Sequence, residues 1–218
     1  IAIYFGLANH LAVAAPLFGL LGALAAGLLT FMLGRGGGTI TLILAGAAVS
    51  ALGAAGISLA LNMASNPFAA NEIMTWLMGS LDDRSWLQVL LILPFIVIGS
   101  VMLVMTTRAL DALALGELQA RSLGVSLRRV HLLALFGTAL AVGAATAVSG
   151  VVGFIGLVAP HLVRPLVGHQ PSRVLLPATL LGALLLLAAD IGTRLIRFGP
   201  ELKLGVFPSL VGTPFFLL

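Results

Sequence analysis

Six stretches of the chain contain no Asp, Glu, Lys or Arg: residues 1–34, 36–71, 85–107, 130–163, 174–189 and 204–218. An α-helix needs about 20 apolar residues to cross the hydrocarbon core of a bilayer. The first stretch is too long for one helix, and Asn9-His10 predicts a loop between a stub at 1–8 and a span at 12–33. The second predicts a span at 39–61, followed by a polar stretch holding Asn62, Ser65, Asn66-Pro67 and Asn71-Glu72. Residues 86–107 and 131–150 predict two more spans. The run Gly150-Val-Val-Gly153-Phe-Ile-Gly156 then breaks the helix, and a short span at 154–167 follows. The last two spans fall at 174–194 and 204–218. The pattern predicts an all-α, polytopic helix bundle of about seven spans, forming one continuous membrane domain over 1–218.

Composition agrees. Of the 218 residues, 60% are hydrophobic and 8% charged, against roughly 25% charged in a soluble domain. The mean hydropathy is +1.18. A soluble globule needs more polar surface than this, and a disordered chain is poor in apolar residues. Cys is absent, which removes disulfides, thiolate metal sites and a cysteine nucleophile. No charged segment precedes the first apolar stretch, so no signal peptide is visible. The chain opens on Ile1 and closes on Phe215-Phe216-Leu217-Leu218, and a piece of a longer membrane protein is expected.

The basic excess, 11 Lys+Arg against 7 Asp+Glu, sits as single residues between apolar runs. That argues for membrane topology and against nucleic-acid binding. Threaded alternately, the spans put Arg35, Arg108, Arg121, Arg128, Arg129, Arg164 and Arg173 on one side with Asp111 and Glu117. The other side holds Arg84, Arg194, Arg197 and Lys203 with Glu72, Asp82, Asp83, Asp190 and Glu201. The positive-inside rule makes the first side cytoplasmic.

Small residues four apart allow helices in lipid to approach closely. Three stripes have this spacing: Ala15-Gly19-Ala23-Gly27, Gly46-Ser50-Ala54-Ser58 and Gly137-Ala141-Ala145-Ser149. All three read first as ordinary bundle packing, and the sharper alternative is that the Ser-bearing stripe (Ser50, Ala54, Ser58) lines a translocation path. Catalytic signatures are missing. There is no G-x-x-x-x-G-K-[ST] loop, since the only lysine, Lys203, follows Leu202. There is no H-E-x-x-H pair or G-x-S-x-G elbow either, and His10, His131, His161 and His169 lie scattered at span edges, which predicts no metal site.

Two constellations carry chemistry. The cytoplasmic loop 108–130 contains a short amphipathic helix ended by Gly124, in which Leu113, Leu118 and Leu123 are expected to lie against the bundle. Glu117 and Arg121, four apart, can pair on its exposed face. The loop reads as a solvated connection or as a docking helix for a cytoplasmic partner. At the outer end of a span, Asp190 is costly unless paired, and Arg194, one turn on, can pair with it. That pair reads as structural or as a site for an acidic protein outside.

The motifs Gly116-Glu117-x-x-Ala120-Arg121-x-Leu123-Gly124 and Gly153-Phe-Ile-Gly156-Leu-Val-Ala-Pro160-His161-Leu-Val-Arg164 resemble the permease subunits of binding-protein-dependent ABC importers for iron chelates (siderophores, haem) and vitamin B12. Trp76-Leu-Met-Gly79-Ser80, Arg173-Val-Leu-Leu-Pro177, Ala189-Asp190 and Gly212-x-Pro214-Phe215-Phe216 continue the resemblance in the family's order. The resemblance implies a ten-helix permease in a bacterial cytoplasmic (inner) membrane. It would act as a dimer with a second copy or a homologue, beside two cytoplasmic ATP-binding subunits and an extracytoplasmic binding protein. ATP would be used by the partner subunit, with no cofactor bound by this chain and no enzyme activity of its own. The family's first helices, about two and a half of them, and its cytoplasmic tail would lie outside this sequence. By motif, Glu117, Ala120, Arg121, Leu123 and Gly124 would form the coupling loop that enters a cleft of the ATPase. Arg194 falls where the family pairs a basic residue with a Glu of the binding protein, and Arg197 is added to it by proximity.

The expected function is import of an iron chelate by alternating access, with vitamin B12 as the alternative cargo. An ATP-independent secondary transporter is the rival, but such transporters usually carry an intramembrane acid or an inverted repeat, and neither is visible. A membrane enzyme ranks behind both.

Overall fold

A computed structural model describes residues 4–5, 13–64, 66–82, 84–195 and 204–205. Among these lie nine helices: α1 (Ala14–Leu33), α2 (Thr39–Asn62), α3 (Pro67–Leu77), α4 (Trp86–Val104), α5 (Thr107–Leu113), α6 (Glu117–Ser122), α7 (Leu127–Ser149), α8 (Ile155–Val167) and α9 (Pro171–Leu195). Among the described residues, five apolar stretches are long enough to cross a membrane: α1, α2, the stretch Trp86–Leu113, α7 and α9. The short span is α8, whose 13 residues reach only about 20 Å. The expected stub at 1–8, with its Asn9-His10 loop, and the span at 204–218 lie almost wholly outside the described residues.

Helix α3 departs from the expectation, because the polar stretch after α2 is largely helical. The signal was Asn66-Pro67: the Asn66 Oδ1 accepts the Phe68 N–H at 2.9 Å, and Pro67 takes the first helical position, where no N–H is needed. A helix start was hidden by the polarity of the residues that cap it.

The chain divides into two compact units. The first comprises Ile1–Met74, Arg84–Leu103 and Arg128–Val148. There α1 and α2 form a hairpin, and small residues set the remaining approaches. A Cβ placed on Gly19 would lie 2.6 Å from the Ala147 Cβ, and one on Gly27 would lie 3.4 Å from the Ala139 Cβ. The Gly99 face of α4 meets α7 more closely still, with the Gly137 oxygen 2.6 Å and the Ala141 nitrogen 2.7 Å from where a Cβ would be. Two of the expected stripes are therefore packing surfaces, and α7 holds both α1 and α4. The third is not packed within this unit: Ser50, Ala54 and Ser58 are exposed, and Ala45 is the buried residue of α2. The Ser58 hydroxyl donates to the Ala54 carbonyl at 3.0 Å, which satisfies it on its own helix.

The second unit comprises Thr75–Asp83, Val104–Leu127 and Ser149–Leu218. Helix α8 lies along α9, with Ala159, Val163, Val174 and Ala189 buried. Before α8 the chain breaks as expected, leaving α7 at Ser149 and entering α8 through Phe154 at φ 66°. The freed backbone groups find partners across segments. The Ser80 N–H donates to the Ser149 oxygen at 2.8 Å, the Leu204 N–H to the Gly79 oxygen at 3.1 Å, and the Gly205 N–H to the Met78 oxygen at 2.9 Å. Gly150, at φ +75°, passes against the Trp76 carbonyl and leaves no room for a side chain.

The helix contacts give a prediction. Gly99→Ala pushes a methyl into the backbone of α7 and should destabilise the protein by about 1–3 kcal/mol. Gly22→Ala, which meets nothing within 4 Å, should be neutral or stabilising by up to about 1 kcal/mol. Thermal unfolding of the two variants in detergent checks the ordering.

Candidate coupling and docking sites

The second unit carries candidate residues at both ends of α9. At the start, Pro171 fills the first position, and the next N–H, that of Ser172, donates to the Asp111 Oδ1 at 2.9 Å. The Gln170 side-chain amide donates to Asp111 Oδ2 at 3.0 Å. A carboxylate from α5 therefore caps α9 from another segment, where an unsatisfied N–H and the positive end of the helix dipole favour it. This latch fixes α5 against the first turn of α9. Its signal in the sequence was an acid within an Arg-rich loop, but no spacing rule links positions 111 and 172.

Helix α6 follows at once. Its end is a Schellman motif: the Val125 N–H donates to the Ala120 oxygen at 3.0 Å and the Gly124 N–H to the Arg121 oxygen at 2.9 Å. Gly124 takes φ +81°, as the expected cap requires. Glu117 and Arg121 stand in its first and last turns. Ala120 is fully buried. Leu113, at the end of α5, is half-buried in line with the expectation, but the two leucines of the α6 segment reverse it. Leu118 is 78% and Leu123 66% exposed, so they point away from the bundle and the small Ala120 faces inward. A methyl side chain suits the close approach of α6, and the two leucines form an exposed apolar surface.

At the far end of α9, the expected pair is formed. Arg194 Nε lies 2.9 Å from Asp190 Oδ2, four residues back on the same helix. Arg194 Nη2 also lies 2.7 Å from Asp82 Oδ1, on the segment after α3. Asp82 was not expected here, since 112 residues separate it from Arg194 and only the fold brings them together. Arg197, the second expected docking residue, lies outside the described residues. Helix α9 has 25 residues and is about 37 Å long, so the Asp111 latch and the Arg194 cluster stand a bilayer apart within one unit.

Ser50, Ala54 and Ser58 belong to the first unit and line an exposed face of α2. Among the described residues no group of three or more His, Asp and Glu side chains is placed to hold a metal. Arg164 and His169 line a cleft of about 410 Å³ between α8 and α9, on the Asp111 side.

Comparison with known proteins gives consistent matches. The FecCD transport family matches residues 1–218. The hemin transport system permease protein HmuU of Yersinia pestis is 40% identical over 203 residues, 90% of this chain and 59% of that protein. The vitamin B12 import system permease protein BtuC of Vibrio cholerae is 41% identical over 180 residues, 82% of this chain and 54% of that protein. An uncharacterized ABC transporter permease, YvrB of Bacillus subtilis, is 39% identical over 178 residues, 82% and 50% of the two chains. The chain thus spans between half and three-fifths of the length of these relatives. A solved structure described as an inward-facing transporter of metal-chelate ABC type superposes with a TM-score of 0.84 at 30% identity, covering 99% of this chain and 68% of that one.

Asp111→Ala removes both acceptors of the latch. Amide exchange at residues 107–122 and at Ser172 should become several-fold faster, while exchange at Ala139–Ala147 in α7 stays unchanged. Hydrogen-exchange mass spectrometry of the full-length protein reads both segments at once.

Proposed function

The chain belongs to the FecCD transport family, and on that premise we propose that it is the permease core of an ATP-driven importer of an iron chelate in a bacterial inner membrane. The observation that carries this reading is α9 with a different partner surface at each end. The exposed Leu118 and Leu123 on α6, supported by the Asp111 latch, suit a soluble cytoplasmic ATP-binding subunit. The arginine cluster at the other end suits an acidic group on a binding protein outside.

The multi-pass helices and the transport permeases among the relatives support a chain that moves its substrate without chemical conversion. ATP hydrolysis falls to a partner, because the phosphate-cradling loop is missing from this sequence. The exposed face of α2 with Ser50, Ala54 and Ser58 supports a second permease copy, with a path for the cargo between the two. Such a path is lined by small and hydroxyl-bearing side chains, which contact a bulky chelate without stripping its metal. Closure of the ATP-binding subunits would press on α6 and α5, and the latch would pass the displacement into α9.

Uptake into proteoliposomes containing the full-length permease, its ATP-binding subunit and its binding protein tests the reading. Accumulation of ferric siderophore or haem, dependent on internal ATP and the binding protein, is the expected result. Accumulation of vitamin B12 instead would move the cargo to the second class, and uptake driven by an ion gradient without ATP would overturn the importer. Within this system, Leu118→Asp places a charge where the partner should bury a leucine. Retention of the ATP-binding subunit in co-purification should fall at least about tenfold.

A further inference from the structure

Arg194 is expected to be the docking cation, yet among the described residues it stands between two carboxylates, Asp190 and Asp82. An acidic group approaching from outside meets repulsion before it meets the arginine. The two carboxylates differ in kind. Asp190 belongs to the same helix, is 14% exposed and receives Nε at 2.9 Å, so it is fixed and shielded. Asp82 comes from another segment, is 52% exposed and receives Nη2 at 2.7 Å, on a guanidinium that is itself 54% exposed. The Asp82 edge of Arg194 is therefore the one that solvent, and a partner, can reach.

Asp82 is also held ready. Its own N–H donates to the Ser80 Oγ at 3.0 Å, and the Ser80 hydroxyl lies 3.3 Å from Asp82 Oδ2. The segment beneath is pinned by the Ser80–Ser149, Gly79–Leu204 and Met78–Gly205 backbone bonds. A carboxylate fixed in this way loses little conformational freedom when it pairs, and it competes better than a free side chain would.

We propose that Asp82 is an intramolecular competitor for the docking arginine. It occupies the guanidinium edge that a carboxylate of the binding protein takes on docking, and so sets the affinity of that contact. The proposal rests on the docking role of Arg194 given above. Asp190 stays in place throughout and keeps the arginine oriented through Nε at 2.9 Å and a longer bond from Nη2 at 3.4 Å, while rotation of the Asp82 side chain opens the stronger, 2.7 Å position on Nη2 to a partner. The surface then fits a partner whose own carboxylate is better placed than Asp82, and it holds weakly acidic proteins off.

The test uses the full-length permease with its ATP-binding subunit in nanodiscs and measures the Kd of the substrate-free binding protein. Asp82→Asn keeps the shape of the turn and removes the charge. It should tighten binding by about two- to fivefold, the equivalent of one exposed ion pair. Asp82→Ser should act in the same direction. In an Arg194→Ala background, Asp82→Asn should have a clearly smaller effect, limited to the loss of a repelling charge, since there is no cation to release. Unchanged or weaker binding in both Asp82 variants would overturn the competition. So would equal tightening with and without Arg194, which would mean simple removal of a repelling charge. If Arg194→Ala alone leaves the Kd at the wild-type value, the docking role itself fails. If Arg194→Ala weakens binding while Asp82→Asn changes nothing, docking stands and the competition does not.

Discussion

Everything placed at the two ends of α9 depends on how those ends are satisfied. A helix leaves unpaired N–H groups at its start and unpaired carbonyls at its end, and its dipole favours an acid at the first and a base at the second. Here the acid is Asp111, borrowed from α5, and the base is Arg194, which in turn gathers Asp190 and Asp82. Neither end is finished by α9 alone. The helix thus ties the α5–α6 segment on one side to the segment after α3 on the other, and an element about 37 Å long joins them.

Backbone groups at membrane depth must pair internally, because lipid offers no hydrogen bonds. The break between α7 and α8 obeys this rule by pairing Ser149 with Ser80, while Met78 and Gly79 pair with Gly205 and Leu204. Gly150 is small for a different reason from Gly99: it takes a positive φ under a carbonyl, whereas Gly99 lets two helix backbones meet.

Much of this was legible in the chain. Hydropathy located α1, α2, α4, α7 and α9, because a span is a local property of about 20 residues. The Gly124 cap and the Asp190–Arg194 pair were legible too, since both follow from spacing within one helix. What stayed hidden was non-local. Asp111 with Ser172 and Asp82 with Arg194 are far apart in sequence, and no periodicity connects them. The face of α6 was misjudged because amphipathicity was read as if the apolar side must turn inward. In α6 the exposed side carries Leu118, and the small Ala120 packs inward.

On the proposed function, the two ends would also differ in how they handle a partner. The α6 end offers leucines, whose attraction is non-directional and grows with the area buried. That suits a subunit that stays bound through every cycle. The Arg194 end offers a charge already matched by neighbours, so any gain on docking is only the difference between an outside carboxylate and Asp82. A small difference makes for a contact that forms and dissolves easily. A binding protein that must arrive, deliver and leave needs an interface of that second kind, and placing the arginine in a pre-formed cluster is a physical way to provide it.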